Sequence, residues 1–180
     1  TGTSSARSIN NGIDLAGKGG VVWTKSRSHG LDHYLGSPAL GTNKVLRTNT
    51  SGSLDSGYSS NFTAFNNNGF SLGSDGITNS NTYTYSSWTF RKSSMFDVVT
   101  YTGTGQNTNN DGHLDLNHSL KSVPGMIIVK RTSGSSDWWV WHRDLATNNA
   151  KAVFLNKNDS IASHSSYWNG TGPTASQFTV

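Results

Sequence analysis

The chain has 180 residues, of which 32% are apolar and 13% charged, and it carries a net charge of +4. It contains no cysteine, which excludes disulfides, thiolate zinc sites and a cysteine nucleophile. Glutamate is absent too, because all ten acidic residues are aspartate. No apolar run reaches the ~18 residues that a membrane span needs. We therefore expect a soluble, helix-poor protein without membrane insertion.

The basic residues do not indicate a nucleic-acid partner. They occur singly or in pairs, such as Lys25 with Arg27 and Arg91 with Lys92. Nucleic-acid-binding proteins usually concentrate lysine and arginine in one stripe or helix. The scattered basic residues are better explained as solvated strand ends, which keep a polar surface soluble.

Short runs rich in β-branched and aromatic residues predict strands, with Gly, Asn, Asp and Ser filling the gaps. In chain order the predicted strands are 21–25, 33–35, 44–48, 63–65, 70–73, 83–91, 96–101, 126–131, 138–143, 152–156 and 177–180. Residues 83–91 alternate with a period of two, which is typical of a half-buried antiparallel strand. The dipeptides Asn68-Gly69 and Asp75-Gly76 are typical of hairpin turns. The expected fold is all-β, with antiparallel sandwiches of jelly-roll or lectin-like type.

An internal repeat divides the sequence. Residues 20–27 resemble residues 125–131, and the offset grows slowly from 105 to 108 positions along the chain. The aligned pairs include Lys25 with Lys130, Tyr34 with Trp139, Asn49 with Asn156, and Phe70 with Phe178. One slow drift across so many positions predicts two tandem copies of a unit. We place these copies at residues 1–95 and 96–180.

The register of the repeat predicts that each copy lacks one strand. Residues 96–101 open the second copy without a counterpart before Thr1, and residues 83–91 close the first without a counterpart after Val180. A sandwich that lacks an edge strand exposes unpaired backbone groups and invites a foreign strand. We expect the missing strands to come from flanking sequence in a longer polypeptide or from a neighbouring subunit.

Residues 96–105 resemble the opening of a tandemly repeated, poorly characterised β-rich module of marine bacteriophage virion proteins, especially those of cyanophages. The resemblance continues through 118–120, 123–131, 141–143, 154–156, 167–169, 173–174 and 178–180, and in the first copy through 22–27, 46–50, 63–70 and 83–91. One local departure is Gly19, which stands where the second copy has Pro124. The resemblance implies a non-enzymatic structural protein of the extracellular phage particle, in a tail, fibre or capsid decoration. Its implied partners are copies of itself, other virion proteins and a host-surface glycan.

No constellation of side chains indicates catalysis, a cofactor or a metal. Glycosidases need two carboxylates at a set separation, and the aspartates here are scattered. Asp111 and Asp115, with Asn117 and His118 beyond them, offer oxygen ligands for calcium, but they do not follow the twelve-residue calcium loop. A polar loop between strands is the better interpretation.

The candidate interaction residues are Trp138 and Trp141. In one strand, Trp138 faces opposite to Trp139 and Trp141. Since Trp139 aligns with Tyr34, these two are the expected core pair, which leaves Trp138 exposed and Trp141 near the rim. Three roles stay open: burial of the rings under neighbouring loops or repeats, a subunit contact, and a platform in a carbohydrate-binding, lectin-like module, which is the alternative function. The further expected core residues are Val22 or Trp23, Trp88, Phe90, Val99, Ile128, Phe154 and Trp168.

Overall fold

The computed structural model describes residues 1–104, 113–145, 150–165 and 167–180. Nearly all of its regular structure is β-strand, which confirms the predicted all-β class. The helical pieces are α1 (Gly76–Asn79) and a 3-10 turn at Tyr167–Gly170. The strands are β1 (Arg7–Asn10), β2 (Gly20–Ser26), β3 (His33–Gly36), β4 (Leu46–Arg47), β5 (Phe62–Asn66), β6 (Gly69–Leu72), β7 (Tyr85–Arg91), β8 (Asp115–Asn117), β9 (Met126–Val129), β10 (Trp139–His142), β11 (Lys151–Phe154), β12 (Ala162–Ser163) and β13 (Gln177–Thr179).

The strands form four antiparallel sheets. The strands between residues 7 and 91 are ordered β1-β6-β5 in one sheet and β4-β3-β2-β7 in another. The strands between 115 and 179 are ordered β12-β11-β10-β9 and β13-β8. In the part of the chain that the structure describes, no strand pair joins the earlier group to the later one. β7 and β9 each lie at the edge of a four-stranded sheet.

Two hydrophobic clusters fill these groups unequally. The first combines side chains from both early sheets and from the loops between them: Leu15, Val22, Tyr34, Val45, Phe62, Phe70 and Leu72. The second is smaller and is built on Trp141, Ala152 and Trp168. Full burial of a large apolar side chain contributes about 1.5–3 kcal/mol. The early group therefore has the larger hydrophobic contribution to stability.

The two predicted turn dipeptides have different outcomes. Asn68-Gly69 lies at the β5–β6 hairpin as predicted, and Gly69 has φ of 136°. A Cβ there would collide with the Ile9 carbonyl oxygen of the neighbouring strand, so only glycine fits. Asp75-Gly76, by contrast, does not form a hairpin. The Asp75 carboxylate accepts a hydrogen bond from the Ile77 N–H at 2.8 Å and caps α1.

The prediction of a strand at residues 96–101 is wrong. Only an isolated bridge between Ser93 and Phe96 forms there. The nearly buried Asp97 carboxylate accepts hydrogen bonds from the Ser119 backbone N–H at 2.7 Å and from its hydroxyl at 2.9 Å, and it pairs with Lys92 Nζ at 2.8 Å. These polar contacts fix the segment in place of a sheet ladder, and they connect it to the loop after β8.

The cross-strand pairs of the two four-stranded sheets follow the offset seen in the sequence. Three of the four β2–β3 pairs have a counterpart in β9–β10, 105 positions later on both strands. The pairs Val22–Gly36, Trp23–Leu35 and Thr24–Tyr34 correspond to Ile127–Trp141, Ile128–Val140 and Val129–Trp139. The two β3–β4 pairs likewise correspond to the two β10–β11 pairs, with an offset of 107 on the β4 side.

Hydrogen bonds at the turns before β3 and β10 repeat at the same offsets. In each case an asparagine located after the next strand, β4 or β11, bonds the turn. Its side-chain oxygen accepts from a backbone N–H of the turn, and its amide nitrogen donates to the aspartate just before that N–H. In the earlier turn these are His33 N–H to Asn49 Oδ1 (2.9 Å) and Asn49 Nδ2 to Asp32 (2.8 Å), and in the later turn Trp138 N–H to Asn156 Oδ1 (2.8 Å) and Asn156 Nδ2 to Asp137 (2.9 Å). Lys25 and Lys130 also match, each donating to a carbonyl six residues ahead at 2.8 Å.

We expect Asp97→Asn to lower the free energy of unfolding by about 1–3 kcal/mol at neutral pH, because Lys92 and Ser119 lose a charged acceptor. Burial raises the pKa of Asp97, but the Lys92 ammonium and the N–H and O–H donors outweigh it and hold this pKa below its usual range. The contribution is therefore present above the unfolded pKa of about 3.9 and is lost as the pH falls below it.

Urea unfolding of the wild type and the variant at pH 7 and pH 3 measures this contribution. The difference between the two proteins should shrink at pH 3. Asp144→Asn, at an exposed carboxylate, is the matched control and should change little at either pH. An equal Asp97→Asn deficit at both pH values would contradict the assignment.

Candidate interaction surfaces

Trp138 lies between the early and late groups of strands and not on the surface. It is 5% exposed. Its indole N–H donates to the backbone carbonyl of Arg47 in β4 at 2.9 Å, and Lys130 Nζ lies 5.9 Å from its ring centre. The expectation of an exposed ring at Trp138 is wrong, because a residue 91 positions earlier in the sequence covers it and satisfies its N–H.

Backbone groups extend this contact, which we call the seam: Arg47 and residues 51–54 on one side, and residues 130–138 on the other. The Ser51 carbonyl accepts from the Ser136 N–H at 2.9 Å and from Lys130 Nζ at 3.1 Å. The Leu54 N–H donates to the Thr132 carbonyl at 3.0 Å. The seam is therefore mainly polar, with the Trp138 ring as its large apolar component.

The Arg47 side chain is held by its own network on the early side of the seam. Its guanidinium bonds Asp55 at 2.6 Å and the Tyr58 hydroxyl at 2.9 Å. The hydrogen bond with Tyr58 raises the pKa of Arg47. Burial raises the pKa of nearby Tyr34 to about 12, with Tyr58 and Asp32 acting in the same direction. At neutral pH Arg47 is charged, so its side chain ties the residue that accepts from Trp138 to Asp55 and Tyr58.

Trp141 is buried in the second cluster, so its expected place near the rim is also wrong. It shares a face of β10 with Trp139, whose half-buried ring packs edge-on against Phe154 at 4.8 Å and Tyr167 at 5.0 Å between ring centres. The counterpart of Trp141 in β3 is Gly36, where a Cβ would collide with the Phe62 ring. Because Trp141 aligns with a glycine, the alignment of the two copies did not indicate that Trp141 belongs to the core.

The exposed aromatic surface of the early group lies on β2 and β7. Trp88 is 50% exposed and Phe90 43% exposed, which corrects the expectation that both are core residues. Trp88 pairs across the strands with Trp23, with ring centres 6.0 Å apart, and Phe96 stacks on Phe90 at 5.3 Å. We call these four residues the outer aromatic face.

Polar residues on the inward face of the same strands explain this arrangement. Thr24 and Ser26 of β2 are buried, and they pair with Ser87 and Tyr85 of β7. Because side chains alternate along a strand, the inward row of Val22, Thr24 and Ser26 places Trp23, Trp88 and Phe90 on the other side. The period of two in residues 83–91 separated the two faces correctly, but hydrophobicity assigned the wrong one to the core. Contiguous exposed apolar patches mark interaction sites.

A second apolar surface lies beside β9. An open cleft of about 240 Å³ is lined by Val129, Trp139, Tyr167, Trp168 and Val180. The Trp168 N–H already donates to the Lys151 carbonyl at 3.0 Å. Ile128, expected in the core, is instead 42% exposed on β9. The cleft suits an apolar side chain better than a polar ligand.

Asp115 and Asn117, which were expected in a polar loop between strands, lie in β8, so that interpretation is wrong for these two residues. Asp115 accepts from the Thr179 hydroxyl at 2.7 Å, and Asn117 accepts from the Gln177 amide at 3.0 Å. Asp111 lies outside the described residues. Among the residues that the structure does describe, no group of three or more histidine and acidic side chains could hold a metal ion. Within the same ranges, no helix is long and apolar enough to cross a membrane.

The sheets define an all-β protein of antiparallel architecture. Its whole length, residues 1–180, matches the family described as a domain of unknown function, DUF7483, and the chain belongs to that family. No curated protein and no solved structure matches it.

We expect Trp138→Ala to lower the free energy of unfolding by about 3–5 kcal/mol, because it leaves a cavity in the seam and removes a satisfied N–H. Trp88→Ala is the matched control and should change stability by no more than about 1 kcal/mol, since half of that ring is in solvent. Urea unfolding monitored by far-UV circular dichroism measures both. Similar small losses in the two variants would contradict the burial of Trp138.

Proposed function

We propose that the chain is a non-enzymatic structural protein of a bacteriophage virion, in a tail, fibre or capsid decoration. It acts by packing repeated β-sandwich units against copies of itself and other virion proteins, and it contributes to adhesion at the host surface. The resemblance of residues 96–105 and the segments after them to a phage virion module supports the setting. The observation that carries the packing role is the outer aromatic face, with Trp88 and Phe90 exposed.

The proposal includes two units of one plan, residues 1–95 and 96–180. The matching pairs of β2–β3 and β9–β10 support it, as do the equivalent bonds of Asn49 and Asn156. In the first unit, one cluster of side chains drawn from both sheets supports a sandwich. On this interpretation the seam is the contact between the two units.

The outer aromatic face suits contact with a neighbouring subunit. Tryptophan and other aromatic residues dominate the binding energy of protein interfaces, because they bury a large area with few rotatable bonds. The half-exposed rings of Trp88 and Phe90 offer such area without rearrangement of the backbone. Many copies of a weak contact in one particle also act together, because each bound copy raises the effective concentration of the next. The same multiplication supports adhesion to a host surface.

The particle itself provides the direct test. Antibodies raised against the chain should label intact, purified particles of the phage that encodes it, as seen by immunogold electron microscopy. The position of the label would then separate tail, fibre and capsid decoration. Label confined to the lysate, with none on intact or gently opened particles, would overturn the virion assignment.

The packing role has its own test in solution. We expect Trp88→Ala to weaken self-association of the chain by about fivefold or more, measured by sedimentation velocity over a concentration series. Tyr101→Ala, at an exposed aromatic outside this face, is the matched control and should leave association unchanged. Equal association in the wild type and in both variants would contradict a packing role for this face.

A carbohydrate-binding module is the second candidate, and the same face is the observation that favours it. Exposed rings on a sheet provide a platform for the apolar faces of sugars. Binding on a glycan array that Trp88→Ala abolishes and Tyr101→Ala retains, in a chain that stays monomeric, would favour this candidate over subunit packing.

A further inference from the structure

The two corresponding strands β2 and β9 differ in their partners. β2 is paired on both sides, with β3 on one edge and with β7 along seven residues on the other. β9 pairs with β10 on the edge that corresponds to β3, and no strand of the described residues pairs with its other edge. Met126 and Ile128, the counterparts of Val21 and Trp23, are 55% and 42% exposed on this strand.

The apolar cleft reaches the same edge strand through Val129 and lies on the face of the sheet that carries its cross-strand partner Trp139. Three of its lining residues, Val129, Trp139 and Val180, correspond to Thr24, Tyr34 and Leu72 of the first unit. In the first unit α1 packs at this region, because it contacts β2 and places Ile77 against the cluster that contains Tyr34 and Leu72. A smaller opening of about 160 Å³ remains there, lined by Thr24 and Leu72 together with Thr78 and Asn79 of α1. The cleft therefore occurs where a counterpart of α1 would pack.

We propose that the open edge of β9 and the adjacent cleft form one docking site for a segment like residues 74–92, supplied by another unit of this family. This inference rests on the two-unit arrangement of the proposed function. The docked segment adds a strand antiparallel to β9, as β7 does beside β2. Its side chains corresponding to Trp88 and Phe90 lie over Ile128 and Met126, and its counterpart of Ile77 enters the cleft.

The chemistry of the site favours this occupant over a second β9. Two β9 edges related by a twofold axis would pair antiparallel and bring the four exposed Met126 and Ile128 side chains together. That pairing would leave the cleft beside Trp139 and Trp168 open to water. A strand preceded by a short helical turn covers both surfaces at once. In strand addition the backbone provides the affinity, and pockets for individual side chains provide the specificity.

Binding of a synthetic peptide with the sequence of residues 74–92 tests the site. The peptide carries a fluorophore, the full chain is titrated into it, and anisotropy reports binding. We expect saturable binding that Ile128→Asp weakens by about tenfold or more, because a charge would lie against the docked side chain that corresponds to Trp88. Ile161→Asp is the matched control: Ile161 is 50% exposed and lies next to β12, at the far edge of the same sheet.

Hydrogen exchange locates the bound peptide. The peptide should slow amide exchange in residues 126–129 and leave residues 162–163 unchanged. Protection of β2 instead would mean that the peptide displaces β7, and that result would overturn the proposal. Absence of saturable binding up to about 1 mM, or equal binding by wild type and Ile128→Asp, would also overturn it. Because Ile128 is 42% exposed, Ile128→Asp should still fold, and a cooperative urea transition of the variant checks this.

Sedimentation velocity of the same variants tests the rival arrangement, in which two β9 edges pair about a twofold axis. A wild-type dimer that Ile128→Asp converts to monomer, without peptide binding, would overturn the proposal in favour of twofold pairing of β9. The outcome of the peptide-binding experiment does not depend on the virion assignment. Peptide binding by a chain that is missing from particles would support the docking site and remove only its virion setting, whereas labelled particles without peptide binding would remove only the docking site.

Discussion

The cross-strand register of β2 with β3, and of β9 with β10, determines which surfaces this protein can present. Side chains alternate along each strand, so one inward residue sets the direction of all its neighbours. With Thr24 and Tyr34 inward, Trp23 and its partner Trp88 point outward. With Trp139 and Trp141 on the core side of β10, Trp138 points the other way, toward Arg47 and the seam.

The sequence was sufficient to predict the β-rich class and most of the strands that are rich in β-branched and aromatic residues. The β5–β6 hairpin has alternating aromatic residues and a turn that only glycine can complete, so its local signal agrees with the fold. β1, β8 and β12 were missed because they are short and contain few apolar residues, and the partners of β1 and β8 lie about sixty residues away in the sequence. α1 was missed because four residues show no periodicity, and its cap, Asp75, resembles a turn residue.

The prediction of the interaction surface failed for a different physical reason. Hydrophobicity alone places Trp88 and Phe90 in a core, but the inward face of β7 meets the buried hydroxyls of Thr24 and Ser26. Nothing local in residues 83–91 reveals that pairing. Trp138 is the converse case. Its burial depends on a carbonyl 91 positions away, a distance over which spacing and alternation carry no information. Only the three-dimensional structure shows the pairing of β7 with β2 and the contact of Trp138 with Arg47.

The comparison of Gly36 with Trp141 shows how one register supports two different cores. In the early group, β5 supplies Phe62, and its ring occupies the space above Gly36. In the late group, a two-stranded sheet stands where the early group has three strands, and Trp141 fills the corresponding space from β10 itself. Interiors are densely packed, so the missing volume has to be supplied by another side chain. Such compensation is absent on the β9 side among the described residues, where Ile128 and the cleft stay open. The late group is thus open on the side where the early group has α1 and β7.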